Sequence, residues 1–338
     1  MTASEPRVVA MHDVTVALDA TRELAAAGAS ALGPLLAHFG EPLAPTTPAL
    51  RVHLSDREPA MTLAAPEWKP QFFFGVTQGF VGERGYALSD ARSSSVVDIV
   101  AHTIKIALVR AANGAFAPTT SGLCHASLCL ALREFSLFEL HAAAVVRAGR
   151  AFVILGNSGA GKTSLALSLL TDPAARYLGD DRVLIRSERG VPAFCAYPRT
   201  FHLALGTASA LPSLLALAQQ VDGIGGKFAL DPARAFAGRF TDRWSEPSAI
   251  LLPRIEPVQR TVVMRAPAAL ALGSLIESSA LAWVDGIRHR EANLALLGSI
   301  ANRTPAFSVT LGRDALADPA AVASAIVAQV DALAEASR

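Results

Sequence analysis

The residues with the clearest chemical potential form one short stretch, Gly156 to Thr163, which reads GNSGAGKT. It matches the pattern G-x-x-x-x-G-K-[ST] with both glycines, the lysine and the hydroxyl residue in register. In this pattern the backbone N–H groups of the loop bind phosphate oxygens, the lysine reaches the β- and γ-phosphates, and the hydroxyl binds Mg²⁺. The stretch therefore predicts a P-loop, with Lys162 on the phosphates and Thr163 on the metal.

The flanking residues have the pattern that a P-loop requires. Ala151 to Leu155 (AFVIL) is a short apolar run typical of a buried parallel strand, and Ser164 to Leu170 (SLALSLL) continues as an apolar helix. A helix N-terminus after a glycine loop stabilises phosphate through N–H groups and the helix dipole. A glycine-rich turn that binds nothing is the alternative, which this context disfavours. The predicted nucleotide-binding residues are Gly156, Asn157, Ser158, Gly159, Ala160, Gly161, Lys162, Thr163 and Ser164.

Two adjacent acids form the second informative stretch, within Tyr177 to Ile185 (YLGDDRVLI). Asp180 and Asp181 follow Lys162 by 18 and 19 residues, about one helix downstream of the P-loop. Phosphoryl-transfer enzymes place carboxylates near Mg²⁺ and the γ-phosphate at such positions. The alternative is a solvated turn, and the position favours the functional interpretation.

Composition limits the classes of partner. The chain has 338 residues, of which 51% are hydrophobic, but no apolar run approaches the roughly 20 residues of a membrane span. The first residues lack the layout of a signal peptide, so we expect a cytoplasmic protein. Its 30 basic and 29 acidic residues give no bulk reason to expect nucleic acid or a membrane surface as a partner.

Three cysteines, Cys124, Cys129 and Cys195, are too few and too scattered for a disulfide framework. A metal site at Cys124, His125 and Cys129 is the alternative, but their segment is apolar and lacks a fourth ligand. We expect buried thiols.

The N-terminal region carries no chemistry that its residues identify. Strands are predicted around the turn Gly82 to Gly85, an amphipathic helix over Ser95 to Ala112, and a buried helix over about Gly122 to Ser136. From Leu140 onward, strands alternate with helices. We therefore predict an α+β module over residues 1–125 and a nucleotide-binding domain over residues 126–338.

Three separated motifs resemble the kinase core of HPr kinase/phosphorylase and its relatives, which include kinases found with lasso-peptide clusters. They are Leu140 to Val145 (LHAAAV), Ile154 to Thr163, and Leu178 to Asp181 (LGDD). His141 stands 15 residues before Gly156, the spacing expected of that family's histidine. The similarity covers roughly Leu140 to Leu203, with weaker echoes near Pro305 to Leu311. It implies an α/β fold, α+β in detail, that is shared with phosphoenolpyruvate carboxykinase.

The resemblance also implies roles. Asp180 would accept the proton of an acceptor hydroxyl, with His141 orienting it, and Asp181 would hold Mg²⁺ together with Thr163. The implied activity is an ATP- and Mg²⁺-dependent kinase that acts on a hydroxyl of a peptide, protein or metabolite, with serine favoured only by the resemblance. A homo-oligomer stays open, because HPr kinases form hexamers.

The resemblance has limits. Residues 1 to about 125 show no clear match, and the long glycine-containing signature that follows the core in HPr kinase/phosphorylases is not recognisable. HPr is therefore not the expected substrate. Arg199 and Lys227 are candidate contacts for phosphate or acceptor, with simple solvation as the alternative.

Two other functions compete. One is an ATPase or nucleotide-dependent switch acting on a partner protein, although no LSGGQ-like or N-K-x-D motif is visible. The other is a regulatory protein that binds nucleotide without catalysis, which the presence of Lys162, Thr163, Asp180 and Asp181 disfavours.

Overall fold

A computed structural model describes residues 7–20, 24, 32–39, 47–56, 72–74, 77–90, 93–109, 120–220, 227–245 and 247–335. Internal contacts divide the chain into two compact units. The first unit comprises Met1–Phe138 with Leu281–Arg290, and the second comprises Glu139–Ala280 with Glu291–Arg338. Each unit is a mixture of strands and helices, in agreement with the predicted α/β class.

An eight-stranded sheet forms the first unit. Its strands are β1 (Arg7–Met11), β2 (Val14–Ala20), β3 (Leu50–Ser55), β4 (Phe72–Phe74), β5 (Thr77–Gly82), β6 (Gly85–Ser89), β7 (Ser94–Asp98) and β8 (Thr103–Ala107). They are ordered β1-β2-β3-β8-β7-β6-β5-β4. The β2–β3 and β3–β8 pairs are parallel. Among the described residues of this unit, the helices with given bounds are α1 (Gly33–His38) and α2 (Thr120–Leu132), followed by a 3₁₀ turn (Arg133–Phe135).

The helix predicted over Ser95 to Ala112 is wrong, because the described part of that segment forms the hairpin β7–β8. Its burial alternates residue by residue along β7, the period of a strand with one face inward. The turn is fixed by Asp98, whose carboxylate accepts the N–H groups of Val100 and Ala101. The many Val and Ile residues of the segment favour strand over helix, a preference that the spacing of three and four concealed.

Other predictions for this unit hold. The turn Gly82 to Gly85 joins the antiparallel strands β5 and β6. The apolar segment after residue 120 is helical and packs against the sheet at β7 and β8, and its cysteines are buried. All three thiols of the chain are free and buried.

The second unit contains three sheets. Its strands are β9 (Phe138–Leu140), β10 (Ala143–Arg147), β11 (Arg150–Ile154), β12 (Arg176–Gly179), β13 (Val183–Glu188), β14 (Val191–Cys195), β15 (Phe201–Leu203), β16 (Gln219–Gln220), β17 (Phe228–Leu230), β18 (Arg243–Ser245), β19 (Ala249–Ile255), β20 (Val262–Ala266) and β21 (Ala306–Leu311). The sheet orders are β12-β10-β11-β19-β21-β20, β18-β14-β13-β9 and β15-β17-β16.

Helices pack on these sheets. The described ones are α3 (Lys162–Leu169), α4 (Leu205–Ala210), α5 (Pro212–Leu215), α6 (Pro232–Ala235), α7 (Ala268–Ser278), α8 (Arg290–Arg303), α9 (Asp314–Ala317) and α10 (Pro319–Glu335). A 3₁₀ turn (Ala280–Trp283) begins at the last residue before the segment Leu281–Arg290 of the first unit. The helix α3 packs between α10 and the six-stranded sheet. Of the helices in the described parts of the chain, none combines the length and apolarity that a bilayer span needs.

Strand direction explains why distant motifs meet. The strands β11, β19 and β21 are mutually parallel, and β10 is antiparallel to both β11 and β12. Consequently β11 and β12 end at the same edge of the sheet, where β10 begins. The P-loop follows β11, Asp180 follows β12, and His141 precedes β10. Ligand sites of open α/β sheets lie at such carboxyl ends.

The compact units do not divide at residue 125. That position lies inside α2, and the division falls after Phe138, with Leu281–Arg290 joining the first unit. The reason is packing, because α2 buries a mostly apolar surface against the sheet of the first unit, where the Ser127 hydroxyl also donates to Ser95 of β7.

Candidate functional site

The loop between β11 and α3 is shaped by its glycines. Gly156, Gly159 and Gly161 all have positive φ, at +148°, +82° and +100°. A Cβ on Gly161 would lie 2.8 Å from Leu311 Cδ1, so the close approach of the loop to β21 also requires glycine there. Successive backbone N–H groups in such a turn at a helix start form a concavity for an anion.

Lys162 is the first residue of α3, and its side chain folds back over the loop. Its Nζ donates to the carbonyls of Gly156 at 2.7 Å and Asn157 at 3.3 Å, and contacts His141 Nε2 at 3.0 Å. Lysine has three N–H donors, so all three are engaged within the protein. Burial lowers the pKa of Lys162, and the charges of Asp181 and Asp180 oppose this shift.

Thr163 and Asp180 are in direct contact. The Thr163 hydroxyl is 3.0 Å from Oδ2 and 3.1 Å from Oδ1 of Asp180, so it donates to that carboxylate. Because the hydroxyl gives its proton to Asp180, its oxygen lone pairs are left for a cation. The predicted metal-binding hydroxyl is therefore oriented by the acid predicted to be the base.

Asp180 is 3% exposed, which makes it the more deeply buried of the two acids. Burial raises its pKa to about 7, with a further increase from the negative charge of Asp181, while the Thr163 hydrogen bond opposes the shift. A carboxyl group with a pKa close to neutral exchanges its proton at physiological pH. Such shifts are concentrated at functional sites.

Asp181 lies next to Asp180 in sequence but in a different environment. Burial alone would raise its pKa, yet the nearby charges of Arg199, His141, Arg182 and Lys162 together outweigh burial and lower it. Arg199 donates to Oδ2 at 2.5 Å, and His141 Nδ1 is 3.3 Å from Oδ1. Its backbone has a φ of +63°, a conformation that non-glycine residues adopt rarely. Asp181 is thus held as a carboxylate.

His141 links the P-loop lysine to the acids. Lys162 can only donate, so it fixes Nε2 of His141 as an acceptor, and Nδ1–H donates to the Asp181 carbonyl at 2.9 Å. Burial lowers the pKa of the imidazole, Asp181 raises it, and Lys162 lowers it further. The backbone N–H of His141 donates to the Ser278 carbonyl at 2.7 Å, which fixes the residue before β10.

These side chains line one cleft of about 430 Å³ in the second unit. It brings together most of the predicted residues, namely His141, Ser158, Gly159, Gly161, Lys162, Thr163, Ser164, Asp180 and Asp181. Gly156 and Asn157 contribute through their carbonyls to Lys162, and the N–H of Ala160 donates to the Asn157 carbonyl at 3.1 Å.

The cleft also has lining residues that the sequence did not single out, Thr200, His202 and Thr207. Thr207 Oγ1 is 2.7 Å from Ser164 Oγ. Of the two candidates considered from sequence, Lys227 lines the cleft and Arg199 pairs with Asp181. The sequence holds a signal for His202, because a polar residue between the apolar Phe201 and Leu203 is the pattern of a strand with one exposed face, and the structure shows that face at His202.

The residues fit a nucleotide phosphate and a magnesium ion. The loop supplies N–H groups and Lys162, which suit phosphate oxygens. Thr163, Asp180 and Asp181 offer hydroxyl and carboxylate oxygens, the hard ligands that Mg²⁺ takes beside substrate phosphates. Within the described residues, no cluster of three or more His, Cys, Asp or Glu side chains could hold a metal by itself. A cation here would depend on phosphate for further ligands.

Comparison with known proteins adds little. No protein-family model matches the chain, and no curated protein matches it. Among solved structures, the chain is similar to the Hpr(Ser) kinase/phosphatase from Coxiella burnetii, with 12% identity and a TM-score of 0.30 over 59% of this chain and 95% of that one.

Proposed function

We propose that this chain is an ATP- and Mg²⁺-dependent kinase that transfers the γ-phosphoryl group to a hydroxyl of a peptide, protein or small metabolite. The observation that carries the proposal is the pair of adjacent acids beside the P-loop with opposite pKa shifts. Asp180 has a pKa raised to about 7, and Asp181 has a pKa lowered by its basic neighbours. Environments that separate the pKa values of paired acids separate their roles.

In this proposal Asp180 takes the proton of the acceptor hydroxyl. Its raised pKa suits a base that exchanges protons near neutral pH, and it lines the cleft beside the phosphate loop. The hydroxyl oxygen attacks the γ-phosphorus as the bond from that phosphorus to the β,γ-bridging oxygen breaks, so that ADP leaves. The products are ADP and a phosphate ester, with the proton left on Asp180.

Asp181 and Thr163 hold the magnesium ion in this proposal. Asp181 stays ionised, so it is an anionic oxygen ligand at every physiological pH. When bound together with ATP, the magnesium ion would neutralise part of the negative charge of the phosphates. His141 is a positioning residue, since it contacts Asp181 on one side and Lys162 on the other. Lys162 reaches the phosphates as it does in other P-loops.

The direct test is incubation with γ-labelled ATP and Mg²⁺, with and without pools of peptides and metabolites. Label on a hydroxyl-bearing acceptor, absent with the variant Lys162→Ala, is the expected result. Wild-type nucleotide binding and transfer by Lys162→Ala would refute the P-loop assignment. Free phosphate alone, at a rate that added acceptors leave unchanged, would favour the ATPase or switch function over the kinase.

A further inference from the structure

The small sheet β15-β17-β16 forms one wall of the cleft, and its two faces differ. Phe201 pairs with Leu230, and these residues, with Leu203, are completely buried in the core. Side chains alternate along a strand, so His202 lies on the other face of β15 from the buried Phe201. His202 lines the cleft together with the flanking residues Thr200 and Ala204, and the buried Leu203 borders it too.

Lys227 lies on the same cleft face. His202 is opposite Ala229 in the antiparallel pair, and Lys227 is two residues before Ala229. Directly opposed residues point to the same face, and diagonal neighbours across a strand pair are about 7–8 Å apart or less. His202 and Lys227 are thus diagonal neighbours, and both side chains are exposed.

Among the described residues of this wall, no acid lines the cleft. Among the described residues lining the cleft, the acids are Asp180 and Asp181, and both belong to the P-loop end. Asp181 is occupied by Arg199 and His141. The pKa of His202 is lowered, first by burial and then by the positive charges of Arg199 and Lys227, with Asp181 opposing. Because Arg199 is paired with Asp181, the positive charge that this wall presents to the cleft comes from Lys227.

We propose that His202 and Lys227 form an anion subsite for the acceptor, so that the substrate class is a hydroxyl compound that also carries a phosphate or carboxylate. This inference rests on the kinase function proposed above. The P-loop N–H groups and Lys162 already suit the nucleotide phosphates, whereas His202 lies in another sheet of the unit and Lys227 directly precedes β17 of that sheet. The hydroxyl Oγ1 of Thr200 is a further polar group on the same face.

The experiment measures anion binding by calorimetry to the full chain saturated with Mg²⁺ and a non-hydrolysable ATP analogue, which fills the P-loop. The probes are inorganic phosphate and acetate. We expect phosphate, acetate or both to bind, with Lys227→Ala and His202→Ala each weakening that affinity about fivefold and the analogue affinity unchanged. Tighter phosphate binding indicates a phosphorylated acceptor, and acetate binding at least as tight indicates a carboxylate.

Lys105→Ala is the matched control, because Lys105 is an exposed strand lysine of the other unit. It should leave anion binding unchanged. The inference would be overturned if neither phosphate nor acetate bound to the wild-type chain saturated with Mg²⁺ and the analogue. Weakened analogue binding by Lys227→Ala would overturn it too, since the lysine would then serve the nucleotide. Failure of the wild-type chain to bind the analogue would instead refute the kinase proposal itself.

Discussion

The two sides of the cleft are built differently. At the P-loop end, Lys162 and Asp180 are less than 10% exposed, at 8% and 3%, and each is engaged by other groups of the site. On the opposite wall, His202 and Lys227 are exposed. Phosphoryl transfer depends on prearranged groups, whereas recognition can be adjusted by exposed side chains. The difference suggests that the buried end determines the reaction and the exposed wall selects the acceptor.

The strongest test of this comparison is Asp180→Asn. Asparagine has a similar shape but cannot take a proton, so transfer should fall about 100- to 10,000-fold. The ATP affinity should change less than about twofold, because the P-loop contacts stay in place. Nucleotide binding by calorimetry and transfer of label measure the two effects. Asp285→Asn, at a carboxylate with 92% side-chain exposure, is the control and should retain full activity. Unchanged transfer by Asp180→Asn would remove the base assignment.

The pH dependence of transfer sharpens the same point. Asp180 must lose its proton to act as a base, and its pKa is about 7. The value of kcat/KM should therefore rise about tenfold per pH unit below 7 and level off above it. This rising limb should disappear from the residual activity of Asp180→Asn. A profile that is flat between pH 5 and about 8 would contradict the assignment.

Asp181→Asn should have a smaller effect on a different quantity. Loss of the carboxylate removes a ligand proposed for the magnesium ion, so half-maximal activity should need at least about tenfold more Mg²⁺. At saturating Mg²⁺ the activity should partly return, unlike that of Asp180→Asn. Titration of transfer with Mg²⁺ measures this. An equal Mg²⁺ requirement in Asp181→Asn and the wild type would place the ion elsewhere.

The last test concerns the stability of the folded chain. The pKa of Asp180 is higher in the folded chain, at about 7, than the usual 3.8, so the folded state binds its proton more tightly. The binding of this proton contributes fully to the free energy of unfolding below about pH 4, and this contribution is lost as the pH rises through 7. About three pKa units correspond to a cost on the order of 4 kcal/mol above pH 7. Asp180→Asn should therefore raise the melting temperature at pH 8 more than at pH 5.

The comparison of stability needs its own control. Asp285→Asn should shift the melting temperature by the same small amount at both pH values, because that carboxylate is exposed. If Asp180→Asn lowers the melting temperature equally at pH 5 and pH 8, burial of the charged Asp180 carboxylate does not reduce the free energy of unfolding.

The site was more predictable than the sheets around it. The spacing of Lys162 and the motif around it predicted strand, loop and helix, because a P-loop needs a fixed local conformation. The P-loop lies close to Asp180 and His141 because of the directions of β10, β11 and β12, and these directions are known only from how the strands pair. The resemblance that first linked these residues stays a prediction about the fold family.

The remaining features were hidden for physical reasons. The hairpin β7–β8 has apolar residues at spacings that suit a helix as well, and cross-strand partners decide between the two. The face carrying His202 and Lys227 depends on pairing between segments about 25 residues apart in sequence. The hydrophobic pattern of one segment does not show which distant segment pairs with it. The assignment of Arg199 to Asp181 likewise needs the tertiary structure.

The bonding of Lys162 has a consequence for the proposed binding of ATP. Its three donors are already used by Gly156, Asn157 and His141, so the ammonium cannot add a phosphate oxygen without releasing one of them. Nucleotide binding would thus replace one hydrogen bond of Lys162 with another. The net affinity would be the difference between the bonds made to phosphate and the bonds lost within the protein. A ligand can bind the Lys162 ammonium only if it replaces one of these contacts within the protein.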